Sequence, residues 1–242
     1  MPNVLVVGAS RGLGAKLTKQ YAGRSYHVYA TARSDNHPAS SPSITYISGI
    51  DIAQEDAGSK LASAIGKKSL EIVIITAGYF ATESFDEPKW EDEIKMYTTS
   101  SIGPVFVVHH LVKAGLLSSG AKVILVSSES GSITLRHESE GGGNYGHHAS
   151  KAALNMVGKL LSLDLKGQGI SVGIVHPGFM RTEMTKGVGF DKYWDDGGAV
   201  TPDVAAMSLI EFIDKFDMKN TGEYWAPRGP RCVAQLLGSS RC

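Results

Sequence analysis

The sequence predicts a single α/β domain: a Rossmann-type, doubly wound parallel sheet of about seven strands with helices on both faces. Three observations lead there. Short β-rich apolar runs alternate with amphipathic segments along the chain, the pattern of repeated β-α-β units. Runs such as EIVIIT carry no polar alternation, as expected of strands covered on both sides. The 242 residues are enough for one large core, and no repeat, heptad run or low-complexity tract divides them, so residues 1–242 are taken as one domain.

In chain order the strands are NVLVVG, HVYATA, ITYISG, EIVIITAG, AKVILVSS, ISVGIVHPG and GEYWAP. Several end directly on Gly, Ser or Pro, so ligands belong at their carboxyl ends. The runs SIGPVFVVHHLVKAG and SKAALNMVGKLLSLDL have the wide apolar faces of helices that cover a sheet or pair across a subunit interface. Irregular stretches lie at 34–43, 138–144 and 183–199. The last ends at TPD, where Thr201 can cap a helix with Pro202 in its first turn.

Charge and cysteine content exclude several roles. Twenty-four basic and 24 acidic residues cancel, and no basic block offers a surface to nucleic acid or an anionic membrane, which leaves a small-molecule partner. The apolar runs are short and the chain enters a strand at once, so neither a signal peptide nor a membrane span is expected. Cys232 and Cys242 are the only cysteines, too few for a disulfide framework and without metal-ligand spacing; a cytoplasmic setting and no metal are expected.

In VVGASRGLGAKL, Gly8, Gly12 and Gly14 follow the first strand and open a helix. Small residues there let the backbone turn tightly and bring a helix N-terminus up to a pyrophosphate. At the end of the second strand, where an acid would hold a ribose 2′-hydroxyl, the chain reads TARS. Ala32 occupies the acid's place, and Arg33 with Arg11 can bracket a 2′-phosphate. NADP(H) is therefore the expected cofactor.

The glycine loop, Asp51 after strand three, TAG at 76–78, Ser128 after strand five, ASKAALN at 149–155 and HPGFMRT at 176–182 follow in one order. That order resembles the short-chain dehydrogenase/reductase family from Val4 to about Pro227, and most of all its small carbonyl-reductase branch, the sniffer and C-factor type. The resemblance implies that Gly8, Ser10, Arg11, Gly12, Leu13 and Gly14 border the phosphates and adenosine, and Asp51 and Ile52 the adenine. It sets Ala77 and Gly78 beside the adenosine ribose, Pro177, Gly178 and Thr182 near the nicotinamide, and Lys151 on the ribose.

The family's proton-handling site joins a Ser, a Tyr, a Lys four residues after the Tyr, and an Asn on a neighbouring helix. Ser128 and Lys151 match. In YGHHASK the residue four before Lys151 is His147, and only that spacing shares a helix face with the lysine; Tyr145 reaches the site only if the Gly-rich insert unwinds the helix start. Ser100 stands where the Asn is expected. Near neutral pH a histidine beside a lysine is mostly neutral, a usable base or hydrogen-bond donor but a poor acid toward an alkoxide. Phe179, Met180, Met184, Phe190, Tyr193 and Trp194 gather around residues 183–200, where the family carries a substrate lid; an apolar, partly aromatic pocket is expected there, with Phe179, Met184, Tyr193 and Trp194 as substrate contacts.

Three functions fit: an NADP(H)-dependent reductase of a hydrophobic carbonyl, imine or enone; an enzyme of the same fold using His147 as base for isomerisation, dehydration or cyclisation; and a non-catalytic NADP(H)-binding protein. A homodimer or homotetramer is expected from the resemblance.

Overall fold

The computed structural model describes residues 1–226; Cys232, Cys242 and Pro227 lie outside the described residues. Seven strands form one sheet: β1 (Asn3–Val7), β2 (His27–Thr31), β3 (Ile44–Ile47), β4 (Leu70–Ile75), β5 (Leu117–Val126), β6 (Ser171–Val175) and β7 (Tyr224–Trp225). Their order is β3-β2-β1-β4-β5-β6-β7, and every adjacent pair is parallel. The winding reverses between β1 and β4, which opens a crevice at their carboxyl ends.

Helices cover both faces because alternate strand residues point to opposite sides. Leu5, Val7, Val73 and Leu125 join one apolar cluster with α2 (Ala57–Ile65), α4 (Gly103–Lys113) and α5 (Tyr145–Leu165). Val4, Val6, Ile72 and Ile124 join the other with α1 (Gly12–Ala22) and α7 (Pro202–Lys215). The Thr201 hydroxyl accepts the Val204 N–H at 3.4 Å, so α7 starts at its expected cap.

Two features depart from the apolar pattern. β5 starts at Leu117, ahead of the AKVILV run, and its register with β4 shifts between Leu70 and Ile72. Gly120, at φ +91°, lets the chain pass through this irregularity. Between α3 (Trp90–Tyr97) and α4 the helix widens into a π turn over Thr98–Ile102. Pro104 sits in the first turn of α4 and lacks the N–H that an unbroken α-helix returns to the Ser100 carbonyl, which accounts for the widening.

Helix packing leaves no room for a side chain at Gly103: a Cβ there would lie 2.1 Å from the Ile52 carbonyl oxygen. Gly103→Ala is expected to lower unfolding free energy by about 1–3 kcal/mol in urea titration, through forced overpacking. Gly167→Ala, where a Cβ meets nothing within 4 Å, is the control and should change stability by less than about 0.5 kcal/mol.

Candidate active site

One large cleft, about 1050 Å³, runs across the carboxyl ends of the strands. One end is built from the β1–α1 turn. Gly8 adopts φ +89°, and a Cβ on it would stand 2.7 Å from the Ala77 backbone; a Cβ on Gly14 would stand 2.2 Å from the Gly8 carbonyl oxygen. Neither position accepts a larger residue. Thr31 accepts the Gly8 N–H at 3.0 Å, and the Thr76 hydroxyl donates to the Val7 and Gly8 carbonyls, at 2.9 and 3.1 Å. These bonds hold the turn open toward the cleft. Arg11, the N-cap of α1, places no side-chain acceptor on the first turn, so the helix start presents backbone N–H groups to whatever anion occupies the cleft.

Ala32 is buried at the end of β2, its N–H bonded to the Ile47 carbonyl at 3.0 Å. Arg33 and Arg11 are exposed and both line the cleft. Asp51 and Ile52 line the cleft too, and Asp51 Oδ1 accepts the Ala53 N–H at 3.1 Å. Ala77, Gly78, Pro177, Gly178 and Thr182 also line it. Thr182 caps α6 (Glu183–Gly187), accepting the Thr185 N–H. A glycine cradle with an uncapped helix start, and two cations beside the end of β2, fit a phosphorylated dinucleotide.

At the cleft's other end, Ser127 and Ser128 are adjacent and both line it, but their hydroxyls are engaged differently. Ser127 is buried and donates to Asn155 Oδ1 at 2.6 Å, while the Asn155 amide donates to the Gly131 carbonyl at 3.4 Å. Ser128 lines the cleft and accepts the Ser130 N–H at 3.2 Å, which leaves its own O–H to donate outward. Lys151 is 8 % exposed, and its Nζ donates to the Val126 carbonyl at 3.0 Å. Burial lowers its pKa to about 8.

His147 shares this end of the cleft with Ser128 and Lys151. Its ring stacks on Phe80, centroids 4.1 Å apart, and its Nδ1 is buried without a hydrogen-bond partner. Burial, then the charges of Lys151 and His148, lower its pKa to about 3, so it is neutral across the working range. Phe80 also meets Phe190 edge-on at 5.6 Å, and Phe190 meets Tyr193 at 6.1 Å. An aromatic row therefore crosses from the β4 loop to the segment after β6, above the His147 ring.

Three residues named from the sequence lie off the cleft wall. Tyr145 is 41 % exposed and is not among the lining residues; it is two residues from His147, about 200° around the helix. Ser100 is buried in the π turn with no partner for its Oγ, and its neighbour Thr99 lines the cleft instead. Trp194 donates its Nε1–H to Thr185 at 3.2 Å and so braces the segment after β6, whereas Tyr193, Phe179 and Met184 line the cleft. Phe80 went unnamed from sequence, since YF after TAG carries no signal beyond its place after a strand.

Among the described residues no group of His, Cys, Asp or Glu is arranged to hold a metal ion, and no helix is long and apolar enough to cross a membrane.

The short chain dehydrogenase family profile matches residues 2–192. A 1-hydroxy-2-glutathionyl-2-methyl-3-butene dehydrogenase from Rhodococcus sp. (strain AD45) is 30% identical over 226 residues, covering 93% of this chain and 96% of that protein. NADPH-bound carbonyl reductase from chicken fatty liver superposes with a TM-score of 0.82 at 23% identity, covering 96% of this chain and 93% of the other. The carbonyl reductase Sniffer of Drosophila melanogaster superposes with a TM-score of 0.78 at 23% identity, covering 96% and 98%.

The buried ammonium of Lys151 costs stability. Its folded pKa lies below the unfolded value, so the penalty is present in full below about pH 8 and fades as pH rises toward the unfolded pKa. Lys151→Met is expected to raise Tm at pH 7, by about 2–4 °C for each kcal/mol of penalty removed in a domain of this size, and by much less at pH 10, as read by scanning calorimetry. An equal change at both pH values would contradict a buried charge.

Proposed function

The chain belongs to the short-chain dehydrogenase family, and from that premise we propose that it is an NADP(H)-dependent oxidoreductase acting on a hydrophobic carbonyl, imine or enone. The observation that carries the reading is the continuity of the cleft, which joins the glycine cradle and its two arginines to Ser128, His147 and Lys151 in one volume. Gly8, Gly12 and Gly14 with the start of α1 would hold the pyrophosphate, Arg11 and Arg33 the 2′-phosphate, and Lys151 the nicotinamide ribose. The cofactor, when bound, supplies the hydride.

The protein's own groups then handle charge and protons. Ser128, its oxygen fixed by the Ser130 N–H, donates its O–H to the substrate oxygen and polarises the carbon. Neutral His147 adds a second N–H donor rather than a proton. The acid is Lys151 Nζ, whose pKa near 8 lies below that of an alkoxide and near neutrality. Met184, Phe179, Phe190 and Tyr193 exclude water from the substrate side.

A second reading is favoured by one feature, the unpartnered Nδ1 of a neutral histidine. Such a group offers a free lone pair, but at a pKa of about 3 it is a weak base that accepts only a strongly activated substrate proton in isomerisation, dehydration or cyclisation, with NADP(H) as scaffold. Turnover without absorbance change at 340 nm would support this reading over the first.

Two outcomes are expected. NADPH should bind at least tenfold more tightly than NADH by calorimetry, about 1.4 kcal/mol, and Ala32→Asp with Arg33→Ala should reverse the order; equal affinities in the parent would contradict the assignment. His147→Ala should remove most turnover and Tyr145→Phe should leave it, while His147→Tyr should raise reduction of activated ketones. The parent's reduction rate should be flat from pH 5 to 7 and fall above about pH 8, as the Lys151 ammonium is lost. An inflection between pH 6 and 7 would instead mark a titrating histidine.

A further inference from the structure

α5 carries both His147 and Lys151, yet its own cap is deficient. Asn144 at the N-cap adopts a left-handed conformation, φ 52°, and makes no side-chain bond to the helix. Its Oδ1 instead accepts the Glu83 N–H at 3.3 Å, and its N–H donates to the Glu83 carbonyl at 3.0 Å. The missing acceptor comes from 63 residues away: Glu83 Oε1 takes the Gly146 N–H at 2.7 Å. Glu83 Oε2 accepts the Lys89 N–H at 3.1 Å, which fixes the carboxyl plane. Glu93, on α3, stands beside the same carboxyl group, and burial together with the Glu83 charge raises its pKa.

This clasp gives a reason for the Gly-rich insert that the cleft does not. Gly143 has φ +87°, and a Cβ on it would approach the Glu83 carbonyl oxygen to 2.9 Å. A Cβ on Gly146 would lie 3.0 Å from Glu93 Cγ and 2.5 Å from Met96 Cε. Both glycines permit the chain before and inside the first turn of α5 to press against the β4 loop and α3. The next residue is His147, and the Phe80 ring stacked on it belongs to the same β4 loop as Glu83. One carboxylate thus ties the helix start to the loop that covers it, with the charge on the side that a helix N-terminus favours.

We propose that Glu83 is a positioning residue: it caps α5 in trans, and through that cap holds His147 against Phe80 and in register with Ser128. Its effect on turnover rests on the reductase reading; its effect on the helix does not. The test is backbone hydrogen–deuterium exchange together with steady-state kinetics on Glu83→Ala and Glu83→Gln. In Glu83→Ala, amide exchange at residues 146–148 is expected to accelerate at least tenfold, with residues 155–165 unchanged. Glu83→Gln keeps an oxygen acceptor for Gly146 and should recover most of the protection, which also covers the case in which the alanine variant fails to fold. In the kinetic arm kcat should fall at least tenfold in Glu83→Ala while the affinity for NADPH stays within twofold. Exchange at 146–148 within twofold of the parent in both variants would overturn the proposal. Absence of any carbonyl turnover in the parent would overturn the reductase reading, with the exchange result still deciding the role of Glu83.

Discussion

The cleft is organised around one buried bond, from Lys151 Nζ to the Val126 carbonyl at the end of β5. It is formed at the cost of taking an ammonium out of water, and it fixes the rotation of α5 against the sheet. Once that rotation is set, the residue four before Lys151 faces the cleft and the residue six before does not. Ser127 and Asn155 reinforce the same orientation from inside the core, which leaves Ser128 free to turn outward. The exclusion of Tyr145 follows from this orientation, and the Glu83 cap at the helix start adds to the placement of His147.

The electrostatics follow from the same burial. Lys151 has lost solvent, and its Nζ is held on the Val126 carbonyl, so its proton becomes labile near neutral pH. His147, beside that charge and under Phe80, cannot take up a second positive charge and stays neutral. A site with a tyrosine at this position would hold an acid whose phenolate the lysine stabilises. Here the lysine is the more acidic partner, and the histidine can offer only a hydrogen bond or a lone pair. Proton traffic in the site is therefore expected to run through the lysine.

Much of the fold was legible in the sequence because strands buried on both faces leave unbroken apolar runs, as in EIVIIT, and the glycine turn leaves its own spacing at 8, 12 and 14. The four-residue register between His147 and Lys151 was legible because helix geometry is local. What escaped was non-local or conformational. The π turn around Ser100 arises from Pro104 acting on a carbonyl four residues back, and no apolar period reveals it. The early start of β5 involves exposed Ser118, Ser119 and Gly120, which look like a loop by composition. Phe80 and Glu83 reach α5 from a loop more than 60 residues away, so nothing in their neighbourhood announces them. Trp194 sits one residue after Tyr193, and its bond to Thr185 rather than the cleft depends on a backbone turn that composition does not encode.

On the proposed reductase function, the volume shared by the glycine cradle, Ser128, His147 and Lys151 transfers hydride from NADPH to a carbonyl. Turnover of an activated aromatic diketone with NADPH deuterated at C4 of the nicotinamide, followed by mass spectrometry of the product, tests it most directly. One deuterium on the carbinol carbon, retained in Tyr145→Phe and lost in Lys151→Ala, is expected. Product without label, or label transferred equally well by Lys151→Ala, would contradict it.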